Sequence, residues 1–180
     1  SRCFEMMVED GSQEVLKLLS STSSKIAQGE VSQLEYKGEI DMLEETYLKI
    51  ISSKTASLFA AATKVGSILA ERNSKYKEAL EFYGKNLGLT FQIADDILDY
   101  NSELKSFGKN IGNDFFEGKV TLPIILLYQK VSDLDKIKLK FTDIYDQYLK
   151  ICKTDSQQTK EKETIHTDLK KNLKIENDNI

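Results

Sequence analysis

The sequence predicts an all-α fold, and two observations carry this prediction. One proline and nine glycines among 180 residues leave few positions at which a helix must end. Long segments repeat apolar residues with the 3.6-residue period of an amphipathic helix. The chain is long enough for a single domain with a hydrophobic core.

The composition argues against several classes of function. Charged residues make up 30% of the chain but nearly balance, at a formal net charge of -4, so no basic excess points to nucleic acid. No apolar run reaches the length of a membrane span, and no signal peptide is predicted at the start. Cys3 and Cys152 lie far apart, which fits a reducing compartment. A single histidine, His166, argues against a histidine zinc site or a Ser/His/Asp triad.

Three helices are predicted before Arg72, and short polar turns separate them. The first covers about residues 1–9 and ends at an Asp-Gly-Ser turn. The second covers about 13–36 and is followed by a Lys-Gly-Glu loop. The third covers about 43–71, and its apolar positions share one side: Tyr47, Ile51, Leu58, Ala62, Val65 and Leu69.

The second half of the chain contains a fourth helix, a loop and a short fifth helix. The fourth helix is predicted over about 75–99, with a bend near Gly84 or Gly88. Residues 101–118 bear glycines and charges without periodicity and are expected to form a loop. A helix over Val120–Lys130 starts near Pro123, because proline is tolerated in a first turn.

The composition changes after Lys130, which predicts three regions. Residues 1–130 are expected to form the folded core. Residues 131–152 have the spacing of one amphipathic helix. Residues 153–180 are polar and charged with few apolar side chains, so this tail is predicted to be disordered.

The segment FQIADDILDY places three aspartates in apolar surroundings. With Gln92 at zero on a helical wheel, Asp95 falls at about -60°, Asp96 at about +40° and Asp99 at about -20°. These polar groups therefore form a narrow stripe without a basic residue, although aspartate is a poor helix former. One interpretation is a solvated helix face. The other is a magnesium–phosphate site, since Mg²⁺ takes one or two carboxylates and completes its shell with water and phosphate.

Three lysines could supply positive charge to such a site. Lys54 falls within about 20° of Tyr47 on the apolar side of the third helix, where a lysine either extends to solvent or meets an anion. Lys109 and Lys119 flank the loop that follows the aspartates. Each alone is typical of a surface lysine, but together they are donors that can converge on phosphate oxygens.

The motifs together resemble the trans-isoprenyl diphosphate synthases, in particular the long-chain polyprenyl (octaprenyl- or solanesyl-type) diphosphate synthases that make quinone side chains. The resemblance covers about residues 1–130. The blocks that carry it are collinear with the family: SRCFEMM, AQGEVSQLE, KTASLF, FQIADDILDY, GKNIGND and EGKVTLPIILL.

The resemblance implies a fold and a reaction. The fold is an isoprenoid-synthase-type helical bundle around a central cavity, usually dimeric. The reaction is head-to-tail condensation: an allylic diphosphate ionises, and the double bond of isopentenyl diphosphate attacks the carbocation before a proton is lost. Three Mg²⁺ ions, held between two aspartate-rich motifs, stabilise the departing diphosphate.

The same resemblance implies roles for individual residues. The second aspartate-rich motif would be Asp95, Asp96 and Asp99, with Asp95 as the direct metal ligand. The diphosphate would be bound by Lys54, Lys109 and Lys119. The Thr55 hydroxyl and carbonyl and the Gln92 amide would face the carbocation, and Asp114 would support Lys109 or a water on the metal.

The chain departs from the family pattern in two respects. No D-D-x-x-D motif precedes Asp95, and the family carries its first such motif upstream. We therefore expect a partial bundle, lacking the N-terminal helices, that is inactive by itself. The residues that set product length lie beside the missing motif, so no product length is predicted. The resemblance also fades after Lys130.

Three alternatives to the synthase remain open at this stage. A non-catalytic subunit of a heteromeric synthase would tend to lose the residues of the Asp95 set. A class I terpene cyclase shares the chemistry but not a KTASLF block. A structural bundle with a solvated acidic face requires the other motifs to be coincidental. Quinone-type products suggest an organelle, mitochondrial or plastid, with the cytoplasm as the alternative.

Overall fold

The structure is a computed structural model, and it describes residues 2–100 and 112–130. These residues are helical wherever they form regular structure, which confirms the predicted all-α class. They fall into two compact units. Unit 1 comprises Ser1–Lys37 and Met42–Asp95, and unit 2 comprises Gly38–Asp41 and Asp96–Ile180.

The described residues contain seven α-helices and one π-helical segment. None of the helices that the structure describes is long and apolar enough to cross a bilayer. Their bounds are α1 (Arg2–Asp10), α2 (Gln13–Glu35), α3 (Glu44–Ile51), the π segment (Ser52–Ala56), α4 (Ser57–Leu69), α5 (Ser74–Asp99), α6 (Asn113–Phe116) and α7 (Leu122–Lys130).

The third predicted helix is not continuous, because the π segment separates α3 from α4. At its end the Ser57 N–H donates to the Ser52 carbonyl, five residues back, instead of four. A π turn contains an extra residue, so the apolar face of the following helix is displaced. The predicted stripe was wrong beyond this point: Leu58 and Leu69 are exposed, whereas Ala60 and Ile68 are buried.

Gly84 and Gly88, where the sequence predicted a bend, let α5 approach α4 and the π segment closely. Helix α5 runs unbroken from Ser74 to Asp99. A Cβ at Gly84 would lie 2.5 Å from the Phe59 carbonyl oxygen, and one at Gly88 would lie 2.6 Å from Ala56 Cα. The two glycines are therefore required for close packing.

Helix α2 approaches the π segment in the same way. A Cβ at Gly29 would lie 2.6 Å from the Lys54 backbone nitrogen and 2.9 Å from its Cα. Gly29 is buried, so the backbones of α2 and the π segment are in direct contact. Ser12 caps the start of α2 by accepting a hydrogen bond from the Val15 N–H.

Unit 2 contains a short helix where the sequence predicted only a loop. Gly112, at φ 77°, leads into the four-residue helix α6. Phe115 and Phe116 within it are buried and contact each other edge to face at 5.7 Å. Beside it, the Gly38 N–H donates to the Gly118 carbonyl at 2.8 Å. The regions predicted at 131–152 and 153–180 lie outside the described residues.

We predict that Gly88→Ala lowers the free energy of unfolding by about 1–3 kcal/mol, because the new methyl group overlaps the backbone of Ala56. Urea denaturation followed by circular dichroism measures this change. Gly66→Ala is the matched control: a Cβ there meets nothing within 4 Å. It should raise stability by about 0.5–1 kcal/mol through helix propensity. Equal effects of the two substitutions would contradict the packing role of Gly88.

Candidate functional site

The π segment holds Lys54 against helix α2. Its Nζ donates to Gln33 Oε1 at 2.7 Å and lies 3.2 Å from Glu30 Oε2. The Lys54 side chain is 24% exposed, so its ammonium group sits at the edge of the protein interior. The lysine predicted to bind an anion is thus partly covered and already paired with one carboxylate and one amide.

Thr55 and Gln92 are joined by a direct hydrogen bond. Thr55 Oγ1 donates to Gln92 Oε1 at 2.7 Å, across the contact between the π segment and α5. Both side chains are half-buried. Thr55 and Gln92 are 37 positions apart in sequence. They are nevertheless within hydrogen-bond distance of each other, and both are predicted to face the same carbocation.

Asp95 lies on the face of α5 that meets the π segment. It follows Gly88 by seven residues, which places the two within about 20° around the helix axis. It also follows Gln92 by three residues, so the two are neighbours on the helix surface. Asp95 is exposed, and one turn earlier Phe91 stacks at 5.4 Å against Phe59 of α4.

The other two aspartates of the predicted stripe belong to unit 2 and have different surroundings. Asp96 is buried, with 3% of its surface exposed. Asp99 is half-buried, and its Oδ2 accepts a hydrogen bond from the Asp114 N–H at 3.0 Å. Its backbone carbonyl also accepts from the Gly112 N–H at 2.8 Å. Asp99 therefore fixes the start of α6 at the end of α5.

Lys119 and Asp114 form an ion pair beside this junction. Lys119 Nζ lies 3.1 Å from Asp114 Oδ1 and 2.7 Å from Glu117 Oε2. Burial acts to lower the pKa of Lys119, but hydrogen bonds to Glu117 and Asp114 outweigh it, so the pKa is raised. Lys119 therefore remains a cation at the end of the loop, as its proposed role requires.

Tyr100 is half-buried, and its hydroxyl oxygen is buried among acidic groups. Burial is the main cause that raises its pKa well above the usual 10.0, and the neighbouring Thr121 hydroxyl partly opposes this rise. The charges of Asp99, Asp114 and Asp96 raise the pKa further. Within residues 2–100 and 112–130, no group meets hydrogen-bond geometry with the hydroxyl oxygen of Tyr100 or of Thr121.

The sequence identified most of these residues but missed three. In unit 1, Thr55 and Gln92 come together, while the neighbouring Lys54 pairs with α2. In unit 2, Asp99, Asp114 and Lys119 come together. Lys109 lies outside the described residues. The sequence did not point to Gln33, which bonds Lys54, or to Tyr100 and its neighbour Thr121. The position of Gln33, four residues after Gly29 on the same helix face, was the available signal.

In unit 1, the exposed Asp95 carboxylate is a candidate ligand for a divalent metal ion. No group of three or more His, Cys, Asp or Glu side chains within 2–100 and 112–130 is arranged to hold a metal ion. Mg²⁺ does not need such a group, because it keeps several waters and takes one or two carboxylates together with substrate phosphate. An exposed carboxylate at Asp95 suits this coordination better than the buried Asp96.

We predict that stability falls with rising pH above about 10, the usual pKa of tyrosine, partly because of Tyr100. Above that pH the unfolded chain loses the phenolic proton while the folded chain retains it, so unfolding is favoured by up to about 1.4 kcal/mol per pH unit. Tyr100→Phe should reduce this slope in urea denaturation between pH 8 and 11. Tyr83→Phe, at an exposed tyrosine, is the control. An equal slope of stability against pH in the unaltered protein and in both variants would contradict the assignment to Tyr100.

Comparisons with known proteins show the family to which the chain belongs. The chain matches the Polyprenyl synthetase family over residues 1–170, past the point at which the motifs fade. It is 45% identical over 125 residues to octaprenyl diphosphate synthase of Escherichia coli (strain K12), covering 69% of this chain and 39% of that protein. It is 43% identical over 129 residues to all-trans-nonaprenyl-diphosphate synthase (geranyl-diphosphate specific) of Rhodobacter capsulatus. This match covers 72% of this chain and 39% of that protein.

A solved structure shows the same fold. The polyprenyl synthase of Caulobacter crescentus CB15, complexed with calcium and isoprenyl diphosphate, superimposes with a TM-score of 0.74 at 34% identity. The alignment covers 97% of this chain and 49% of that one. The chain spans about two-fifths of the length of the curated relatives it matches. By its motifs, its helical fold and these matches, the chain belongs to the Polyprenyl synthetase family.

Proposed function

We propose that the protein containing this chain is a long-chain polyprenyl diphosphate synthase. It would condense isopentenyl diphosphate head to tail with an allylic prenyl diphosphate. The observation that carries this proposal is the Thr55–Gln92 hydrogen bond between the π segment and α5. Lys54 precedes Thr55 in the π segment, and Asp95 follows Gln92 by three residues on α5. The long-chain relatives among the matched proteins support the choice of product class.

In this proposal Lys54 binds the diphosphate of the allylic substrate. Its ammonium group is partly shielded from water, so its attraction for the leaving group exceeds that of an exposed lysine. The π segment sets the direction of this side chain, because α2 and α5 hold its backbone from two sides.

Thr55 and Gln92 would stabilise the carbocation. The Thr55 hydroxyl donates its proton to Gln92 Oε1, which leaves lone pairs on the threonine oxygen directed elsewhere. An oxygen fixed in this way can face positive charge without reorganising during the reaction. Phe59 and Phe91 next to it would exclude water, which would otherwise convert the cation to an alcohol.

Asp95 would hold a divalent metal ion, and we propose Mg²⁺, with three ions in the complete enzyme. The metal would neutralise charge that develops on the leaving diphosphate. The calcium and isoprenyl diphosphate in the Caulobacter crescentus relative support a metal–diphosphate site. Asp96 and Asp99 remain proposed members of the same motif, and Lys109 and Lys119 remain proposed diphosphate ligands.

We predict that Asp95→Asn reduces elongation by roughly a hundredfold or more, because one electrostatic contact to the leaving group is lost. The full-length protein is incubated with radiolabelled isopentenyl diphosphate and farnesyl or geranylgeranyl diphosphate, with and without Mg²⁺, and products are separated by length. Glu78→Gln, an acid-to-amide change at an exposed position of α5, is the control and should leave activity unchanged.

A Mg²⁺-dependent product ladder that is lost only in Asp95→Asn supports the synthase. No elongation by the folded, unaltered protein would contradict it. That result would favour a non-catalytic subunit of a heteromeric synthase, and a search for its catalytic partner would follow.

We also propose that the protein acts as a homodimer and binds no nucleic acid. The family resemblance suggests the dimer, and the near-neutral charge balance suggests the absence of nucleic acid. Light scattering of the full-length protein should give twice the mass of one chain. A monomer, or a complex that contains a second type of chain, would contradict the homodimer.

A further inference from the structure

Lys54 is held by two side chains of α2 that the proposed reaction does not use. Gln33 accepts a hydrogen bond from Lys54 Nζ at 2.7 Å, and the Glu30 carboxylate lies 3.2 Å from the same atom. Gly29 places both residues there, because its missing side chain brings α2 into backbone contact with Lys54. The pairing is therefore built into the packing of unit 1.

We propose that Glu30 and Gln33 form a latch that sets the affinity of Lys54 for diphosphate. Glu30 is an internal anion that competes with the substrate for the lysine, and Gln33 is a neutral acceptor that keeps the lysine in position. This inference rests on the proposed function, since it assumes that Lys54 binds diphosphate. Both latch residues act through Lys54 and are positioning residues.

The exposure of Lys54, Glu30 and Gln33 supports an exchange in which diphosphate replaces Glu30 as the anion bound to Lys54. The Glu30 side chain is 52% exposed, so its carboxylate can turn to water when a stronger anion arrives. Gln33 is half-buried and has no charge to repel a diphosphate. Diphosphate binding would therefore displace Glu30 and leave the Gln33 hydrogen bond intact.

The latch also gives Glu30 a role in product release. When pyrophosphate leaves, Glu30 can pair again with Lys54, so the ammonium group is not left without an anion at the edge of the interior. Removing the charge of Glu30 should therefore strengthen product inhibition by pyrophosphate. Adding a charge at Gln33 should do the opposite.

Two substitutions of unchanged shape test the latch in opposite directions. The dissociation constant of inorganic pyrophosphate is measured by calorimetry on the full-length protein with Mg²⁺. Glu30→Gln should tighten binding roughly fivefold, and Gln33→Glu should weaken it by a similar factor, as expected for one partly exposed charge pair. Inhibition of elongation by pyrophosphate should change in the same two directions.

Glu81→Gln is the matched control. Lys64 pairs with Glu81 at 2.6 Å, and its side chain is 24% exposed, the same as that of Lys54. Because this pair joins α4 to α5 elsewhere in unit 1, its loss should leave pyrophosphate binding unchanged. An equal effect of Glu81→Gln would show that any lost charge tightens binding, and it would overturn the latch.

A double substitution tests whether Glu30 acts through the lysine. In a Lys54→Gln background, Glu30→Gln should no longer change pyrophosphate binding. A persistent effect, or no effect of Glu30→Gln in the folded unaltered background, would overturn the latch while leaving the synthase intact. Failure of the unaltered protein to bind pyrophosphate would overturn the proposed function and the latch with it.

Discussion

The close approach of two helices to the π segment is the constraint on which the arrangement of unit 1 depends. Gly29 of α2 meets the backbone of Lys54, and Gly88 of α5 meets Ala56. A side chain at either glycine would overlap the facing backbone and push the helix away from the π segment. The Lys54–Gln33 and Thr55–Gln92 bonds, both 2.7 Å long, therefore follow from two missing side chains.

The three aspartates of the D-D-x-x-D motif have separate physical roles, although they follow one another on a single helix. Asp95 is exposed on the face toward the π segment and suits a metal ion. Asp96 is buried near the Tyr100 phenol, and Asp99 holds the N-terminus of α6. Burial of Asp96 and the hydrogen bonds of Asp99 therefore give these two carboxylates structural roles in unit 2, whereas the exposed Asp95 is the candidate metal ligand.

Helical periodicity and turn residues predicted most of the fold. The second helix was expected over 13–36 and the fourth over 75–99, and they occupy Gln13–Glu35 and Ser74–Asp99. The π segment was not predictable, because a change from four- to five-residue hydrogen bonding leaves no compositional signal. The roles of Gly84 and Gly88 were missed because a glycine required by packing and a glycine that bends a helix look alike in sequence.

The candidate site was predictable where motifs lie within one helix, and less so where helices meet. Lys54, Thr55, Gln92 and the aspartates were identified from spacing and resemblance. Gln33 was not, since its importance depends on the contact of α2 with the π segment, which is a tertiary feature.

The most direct test of the account is a crystal structure of the full-length protein with Mg²⁺ and an unreactive thiodiphosphate analogue of the allylic substrate. We expect Asp95 to lie in the coordination shell of a metal ion and Lys54 Nζ to contact a diphosphate oxygen. A diphosphate bound away from Lys54, with no metal at Asp95, would contradict it.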